Sequence, residues 1–274
     1  MVDIYGSYFE YGGELSREYG LILANMDTAR NLRLSGEING VTVFNKKNAR
    51  SYLVDQDYRN SPVSFDVEFF TYDQSPLQMK TMRQIEKWLF QRRRFQKLYI
   101  AGDSDFMAEA SEIIDGVEKR LYLNCRFSNP ERIEHDGGIV GFKATLEADN
   151  GFWWQDPVIK QFDATNDNLY TVTVDTDIDA YTYPKITIRT VTSSPTLTIC
   201  NLTDDEGRVM LIDQITAGKE LVINSELNYI STRTSFTSVM DQNFPRLLDG
   251  ENQISITGDE VESVTIEFQN RRML

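Results

Sequence analysis

Apolar and polar residues alternate with a period of two along several segments of the chain. The apolar members of the two clearest segments are Val63, Phe65, Val67 and Phe69 in one, and Val140, Phe142, Ala144 and Leu146 in the other. Successive side chains of a β-strand point to opposite faces of its sheet, so each segment predicts a strand with one buried face. A third segment, residues 121–127, follows the same pattern. We predict that these apolar residues point into the sheet core of a first domain.

The second half of the chain repeats this pattern in shorter pieces. Strand-like runs lie at 169–174, 186–191, 197–202, 209–212, 220–223, 254–256 and 264–268. Gly207 and Gly218 stand between runs, where hairpin turns need a positive φ that glycine adopts without strain. Many short strands with turn residues between them predict an all-β sandwich.

One segment has the spacing of a helix instead. Ser75 offers an N-cap and Pro76 suits the first helical position. The apolar residues that recur at spacings of three and four are Met79, Met82, Ile85 and Leu89. The pattern therefore predicts one helix over residues 76–93, whose apolar stripe packs on the first sheet.

An aromatic cluster marks the predicted domain boundary. Phe152, Trp153 and Trp154 end the first set of strands, and a polar stretch with a proline follows. We therefore expect two domains, 1–154 and 155–274, with the three aromatic residues filling the seam between them. The same residues offer an alternative, because Trp153 and Trp154 are side chains of the type that stacks on a sugar ring.

Residues 25–60 form a polar, weakly periodic stretch that is too long for an ordinary loop. Its apolar residues of interest are Ile38, Val41, Val43 and Phe44. An isolated hairpin formed here has too little apolar surface to be stable alone in water. We expect an extended arm that contacts an adjacent subunit through these residues.

Charge and cysteine content narrow the functional classes. The 274 residues carry a formal net charge of −14, which opposes the approach of phosphates, so we predict no stable nucleic-acid binding. The run Arg92–Arg94 is expected to lie on a solvated or intersubunit face.

Two cysteines, Cys125 and Cys200, give no disulfide framework and are expected to be small buried thiols. No apolar run reaches the roughly 20 residues of a membrane helix, and synthesis in the cytoplasm without membrane insertion is expected.

Catalytic and metal-binding patterns are weak. His135 is the only histidine, so catalytic triads and zinc sites have one candidate residue, which we expect to lie exposed in a loop. Asp175, Asp177 and Asp179 are spaced like the first ligands of a calcium loop, but Ala180 and Ile186 stand where such a loop needs glycine and glutamate. We therefore predict no enzymatic activity, no cofactor and no metal.

Five segments form a recognisable series along the chain: 9–21 (FEYGGELSREYGL), 151–154 (GFWW), 183–186 (YPKI), 247–254 (LLDGENQI) and 271–274 (RRML). In this order they resemble the distal tail protein family of tailed bacteriophages, of the type found in siphophages. The resemblance extends over nearly the whole chain. It implies a mostly β protein. Its N-terminal domain is split β-barrel-like, with one helix and a belt-like arm, and its C-terminal domain is a galectin-like or carbohydrate-module-like β-sandwich.

The resemblance also implies a role in the virion. Members of this family form a homo-hexameric ring at the tail tip or baseplate, with first domains at the end of the tail tube and second domains pointing outward. The expected partners are the tail tube protein, the tail-associated lysin or hub protein and a receptor-binding protein, with assembly in the host cytoplasm. An alternative remains: a carbohydrate-binding module, or a carbohydrate-active protein, on the same β-sandwich fold.

Overall fold

The computed structural model consists almost wholly of antiparallel strands with one α-helix. The structure describes residues 6–26, 38–44, 51–58, 63–90, 94–100, 111–114, 116–163, 168–178, 180–191, 194–215, 218, 220–231, 243–258 and 261–273. They form two compact units, Met1–Gln155 with Met273–Leu274, and Asp156–Arg272. The mostly-β prediction is confirmed.

The first unit holds eleven of the strands and the helix. Its elements are β1 (Phe9–Tyr11), β2 (Glu14–Leu15), a 3-10 turn (Ser16–Tyr19), β3 (Leu21–Met26), β4 (Ile38–Phe44), β5 (Ser51–Tyr58), β6 (Ser64–Thr71), α1 (Met79–Phe90), β7 (Gln96–Ile100), β8 (Ser111–Ile114), β9 (Val117–His135), β10 (Gly138–Ala148) and β11 (Phe152–Gln155). The main sheet has the order β2-β1-β7-β9-β10-β6-β3. Among the described strands it does not close on itself, as expected of a split barrel.

The second unit contains two sheets. Its strands are β12 (Val158–Asp163), β13 (Leu169–Val174), β14 (Lys185–Thr190), β15 (Ser194–Asn201), β16 (Val209–Ile215), β17 (Glu220–Asn224), β18 (Tyr229–Ile230), β19 (Gly250–Thr257) and β20 (Val261–Phe268); the chain's last strand is β21 (Arg271–Met273). One sheet has the order β12-β20-β14-β17-β18 and the other β13-β19-β15-β16. Each buries every second residue, for example Tyr170 and Val172, or Ile186 and Ile188. The predicted β-sandwich is confirmed, while sequence patterns missed β12 and β18.

The alternation of apolar and polar residues in β6 and β10 determines which side chains form the core of the first unit. Phe142, Ala144 and Leu146 in β10 are at most 1% exposed, and Val67 and Phe69 in β6 are fully buried. These two strands pair directly, with Phe142 opposite Phe69 and Ala144 opposite Val67. The predicted register is therefore confirmed. Val63 and Phe65 are only half-buried, because they lie at the start of the segment, where Val63 precedes β6.

Helix α1 packs on this sheet through the predicted stripe, with one correction. Its buried residues are Met82, Ile85, Trp88 and Leu89, whereas Met79 is 59% exposed. The Trp88 Nε1–H donates to the Tyr11 carbonyl at 2.9 Å, and its ring stacks on Phe9 at 5.6 Å. These contacts fix the helix against β1.

The predicted start of the helix is wrong by three residues. Asp73 accepts hydrogen bonds from both the backbone N–H and the hydroxyl of Ser75, at 3.1 and 2.7 Å, so Ser75 completes a turn instead of capping a helix. The next residues run beside the β9–β10 turn, where the Leu77 N–H donates to the Ile139 carbonyl at 2.7 Å. A Cβ on Gly138 would lie 2.6 Å from the Pro76 ring, so only glycine allows this approach.

The two cysteines differ in their surroundings. Cys125 is buried on the core face of β9, and burial raises the pKa of its thiol. Cys200 is only half-buried, so the expectation of two buried thiols is wrong for this residue. The alternation explains the difference, because Ile199 faces inward and its neighbour in β15 must face outward.

A pair of substitutions in β6 tests the core. Phe69→Ala removes a fully buried ring and is expected to lower the free energy of unfolding by about 3–5 kcal/mol. Phe65→Ala, the matched control four residues earlier, is expected to cost roughly 1–2 kcal/mol because its ring is half-buried. Urea denaturation followed by fluorescence measures both values. Equal losses would contradict the assigned core.

Candidate assembly surfaces

The predicted arm contains a hairpin with a sheet of its own. Strands β4 and β5 pair antiparallel, from Ile38 opposite Tyr58 to Phe44 opposite Ser51. Their two-stranded sheet pairs with no other described strand. Val41 lies opposite Asp55, directly before a shift of register, and Val43 lies opposite Tyr52. An isolated two-stranded hairpin is marginally stable in water, so this element has strand edges to offer a partner.

The aromatic cluster lies in β11, which pairs with β9. Trp154 stands opposite Tyr122 in the register, and its ring meets that of Phe152 at 4.9 Å and 72°. Phe152 is 4% exposed, and Trp153 packs against the core of the first unit. These contacts lie within the first unit. The role of the cluster in an interdomain seam stays a prediction.

The aspartates that are spaced like calcium ligands contact an arginine. Arg272 binds Asp175 at 2.7 Å and Asp177 at 3.3 Å, and its side chain is only 11% exposed. The hydrogen bond from this guanidinium lowers the pKa of Asp175. Asp179 lies outside the described residues. No described group of three His, Cys, Asp or Glu side chains is placed to hold a metal ion.

A buried ion pair joins two loops of the second unit. Arg246 donates to both carboxylate oxygens of Asp204, at 2.7 and 2.9 Å, and the two side chains are 8% and 4% exposed. Glu206 accepts from the same guanidinium at 2.9 Å, and the Tyr181 ring lies 3.7 Å from its central carbon. The hydrogen bond from Arg246 lowers the pKa of Asp204. Sequence patterns gave no sign of this cluster, since its members are far apart in the chain.

Neighbouring polar contacts hold further loops at this end of the sandwich. Asn201 donates to the Arg246 carbonyl and to Asn252, both at 2.9 Å. Arg271 donates to the carbonyls of Ala180 and Tyr181, at 2.9 and 3.0 Å. Loops that lack regular hydrogen bonds are thus held by buried side chains, which satisfy their backbone groups.

His135 ends β9 and is exposed, as predicted, although it lies at a strand end and not within the loop. Its side chain is 69% exposed, and Nε2 lies 3.5 Å from Asp136 Oδ2. The two-residue turn that follows it has positive φ at Asp136 and Gly137, 49° and 77°. Within the described residues, no helix could cross a lipid bilayer.

Comparison with protein families decides the class of the chain. A model described as a phage tail protein N-terminal domain matches residues 4–150, and one described as a phage tail C-terminal domain matches residues 152–268. This chain belongs to that family of phage tail proteins. No curated protein matches its sequence.

One solved structure shares the fold of this phage tail protein. The Dit protein of phage SPP1, described as a paradigm of the hub adsorption apparatus in phages that infect Gram-positive bacteria, superposes with a TM-score of 0.63 at 11% identity, over 96% of this chain and 98% of Dit. The fold is therefore that of a distal tail protein. A chain of the activated phage P2 baseplate with Ca matches with a TM-score of 0.45 at 10% identity, over 98% of both chains.

Removing Arg246 from this tail protein tests the buried pair. Arg246→Met leaves the buried Asp204 carboxylate without its salt-bridge partner, and we expect a loss of about 3–5 kcal/mol in the free energy of unfolding. Arg189→Met is the matched control, because Arg189 and Glu262 are 50% and 45% exposed, and a loss of about 0–1 kcal/mol is expected. Urea titrations at neutral pH compare the two. Equal losses would show that the pair does not hold the loops.

The pair also predicts a dependence on pH. The lowered pKa of Asp204 means that its charge stabilises the native state above the unfolded value near 3.8, and that this stability is lost as pH falls through the native pKa. The stability difference between wild type and Asp204→Asn should therefore be constant above about pH 5 and shrink below about pH 4. Urea titrations between pH 6 and 3 measure it. A difference that stays constant throughout would contradict the assignment.

Proposed function

We propose that this protein is a structural hub subunit of a phage tail tip or baseplate. The observation that carries the proposal is the likeness to the Dit hub protein, which extends over 96% of this chain and 98% of Dit. Matches to both tail-protein domain models support a place in the tail of the virion. On this proposal the subunit forms a ring that joins the tail tube to the tail-associated lysin and the receptor-binding apparatus.

On this proposal each of the two domains has its own role. Residues 1–154 form the ring at the end of the tail tube, and residues 155–274 point outward to contact receptor-binding parts. The ring contains six copies, assembled in the host cytoplasm before the tail is complete. The partners are the tail tube protein, the lysin or hub protein and a receptor-binding protein.

The hairpin of β4 and β5 supplies the contact between neighbouring subunits in this ring. Among the described strands its sheet has two members and no third strand beside it. Pairing of either edge with a strand of the next subunit satisfies the edge backbone groups. The contact adds Ile38, Val41, Val43 and Phe44, which all lie in β4, to the interface.

The proposed role is structural and not enzymatic. His135, the only histidine in the sequence, is largely exposed at the end of a strand, so it is not oriented by the buried partners that a catalytic base needs.

The alternative function, a carbohydrate-binding module, receives no support from the aromatic cluster. Trp153 packs on the core and Trp154 meets the buried Phe152 edge to face. Both tryptophans are half-buried, so the pair does not form a fully exposed sugar platform.

Deleting the hairpin tests the ring. Residues 38–58 are replaced by a short glycine–serine linker, and the variant is expected to keep both units folded but to lose the hexamer. Mass photometry measures the assembly and circular dichroism the folding. The matched control lengthens the β9–β10 turn by two glycines after Gly137, which lies outside the deleted residues and outside the sheet of the hairpin, and it should leave the ring intact.

Two outcomes would overturn the proposal. A hairpin deletion that still forms hexamers excludes the arm as the ring contact. A wild-type protein that forms no ring, alone or with the tail tube protein and lysin of its phage, excludes the hub role.

A further inference from the structure

Helix α1 presents a row of positive side chains to solvent in a chain that is acidic as a whole. Residues 76–95 contain six Lys and Arg against one acid, Glu86, whereas the whole chain contains 28 Lys and Arg against 42 Asp and Glu. We call Lys80, Arg83 and Lys87 the basic crest, and all three are exposed. The helix therefore has a charge opposite in sign to that of the chain.

The spacing of the basic crest places its members in a line along the helix. Residues three and four positions apart are neighbours on a helical surface, so Arg83 lies between Lys80 and Lys87. With a rise of about 1.5 Å per residue, the crest is about 10 Å long. The residues that α1 buries in the core are Met82, Ile85, Trp88 and Leu89. The crest therefore lies on the side of the helix that faces away from the core.

The helix supplies no acid that balances the crest. Its one acid, Glu86, accepts instead from Nε and Nη2 of Arg132 in β9, at 2.8 and 2.7 Å. Among the described residues, no ion pair joins a carboxylate to Lys80, Arg83 or Lys87. Like charges three and four residues apart destabilise a helix, and a cation in the first turn opposes the helix dipole. A local arrangement that lowers stability in this way is typical of a functional site.

An exposed apolar side chain adjoins the crest. Met79 is 59% exposed, although its helical spacing predicted a place in the core. It lies four residues before Arg83, which is about one helical turn along the same side. Beyond the other end of the helix, Arg94 is exposed, while Arg92 and Arg93 lie outside the described residues. The surface thus offers three aligned cations with a flexible apolar side chain at one end.

The positive charge does not extend to the flanks of the crest. On one side Glu86 and Arg132 pair with each other, so they add no net charge. On the other side the Tyr19 ring stacks on Trp88 with 4.8 Å between the ring centres. The segment that carries this tyrosine, residues 14–19, contains two acids and one cation. The positive surface is therefore narrow, about the width of one helix face.

We propose that the basic crest of α1 binds an acidic segment of a partner protein other than this chain. A helix or strand with carboxylates along about 10 Å matches the crest in length and in sign of charge. An apolar side chain of the same segment packs on Met79. Binding places anions beside the three cations and removes the repulsion among them. The proposal adds a binding surface to the protein and does not depend on the ring or on the hub role.

The narrow shape of the crest favours an acidic polypeptide over duplex DNA. Proteins that bind DNA tightly neutralise several phosphates, commonly about 6–10, which takes a wide positive surface. The crest has three cations, and its flanks add none in excess. The net charge of −14 repels phosphates at longer range as well. A polypeptide segment needs only a few ion pairs and one apolar contact.

Two peptides and one substitution test the crest. The first peptide is helical, with glutamates at positions i, i+3 and i+7 and a leucine placed to meet Met79; the second has the same composition in scrambled order. Fluorescence anisotropy at low ionic strength measures the binding of each labelled peptide to the full chain. The wild type should bind the first peptide about tenfold or more tightly than the second. Arg83→Glu opposes like charges across the contact and should weaken binding of the first peptide about tenfold or more.

The thermal stability of the variant separates a binding role from a structural one. Arg83→Glu places opposite charges three and four residues apart, with Lys80 and Lys87, so the unfolding midpoint should stay level or rise while peptide binding is lost. Lys185→Glu, in the second unit, changes the net charge by the same amount and should leave peptide binding unchanged. Where Arg83→Glu does not fold, Arg83→Gln replaces it, with a smaller expected loss of binding. A lower midpoint with unchanged peptide binding would assign the crest a structural role and overturn the proposal.

The remaining outcomes distinguish other partners. Equal binding of the two peptides by the wild type would overturn the proposal. Duplex DNA of random sequence is titrated under the same conditions, and we expect no binding. DNA binding that Arg83→Glu abolishes would assign the crest to nucleic acid instead. Sedimentation velocity of wild type and variant measures self-association, and a change in oligomeric state would assign the crest to a contact between copies. The hub role is tested by the hairpin deletion and is untouched by any of these results.

Discussion

The first unit depends on the pairing of β9, which binds four of its other strands directly. This strand of 19 residues pairs with β7, β8, β10 and β11. Its alternation sends Leu123, Cys125 and Phe127 into the core and leaves Asn124 and Arg126 outside. A shift of one residue would reverse both faces, burying the charges and exposing the rings. The helix, the core and the outer charged face therefore all follow from one register.

The second unit adds a constraint of another kind at its loop end. Its sandwich core is apolar, but the loops beside it have few regular hydrogen bonds. Asp204 and Arg246 form a buried pair that a hydrophobic replacement of equal volume can match in stability, so stability alone does not explain it. Its geometry does fix two loops relative to each other. Directing the arginines at the loops leaves Glu206 and Asp175 on the surface, so loop order and surface charge have a common origin.

Sequence patterns predicted those structural features that depend on residues close together in the chain. Period-two alternation predicted the core faces of β6 and β10, and the stripe of α1 followed from spacings of three and four. The start of α1 was not predictable, because the bond from Leu77 to Ile139 joins segments 62 residues apart. Arg246 and Asp204, 42 residues apart, carry no local signal for the same reason. The spacing of Asp175 and Asp177 was compared with a calcium loop and gave no sign that Arg272 binds both.

On the proposed hub role, an acidic subunit that assembles around a path for DNA faces two requirements that conflict. A high negative charge keeps DNA from binding, yet it also makes copies of the subunit repel one another. Apolar strand pairing, as proposed for the hairpin, supplies attraction but little selection of orientation. The negative charge of this chain is uneven along the sequence, since residues 156–272 contain 19 Asp and Glu against 9 Lys and Arg. An uneven distribution of charge can therefore satisfy both requirements, where a uniform one satisfies only the first.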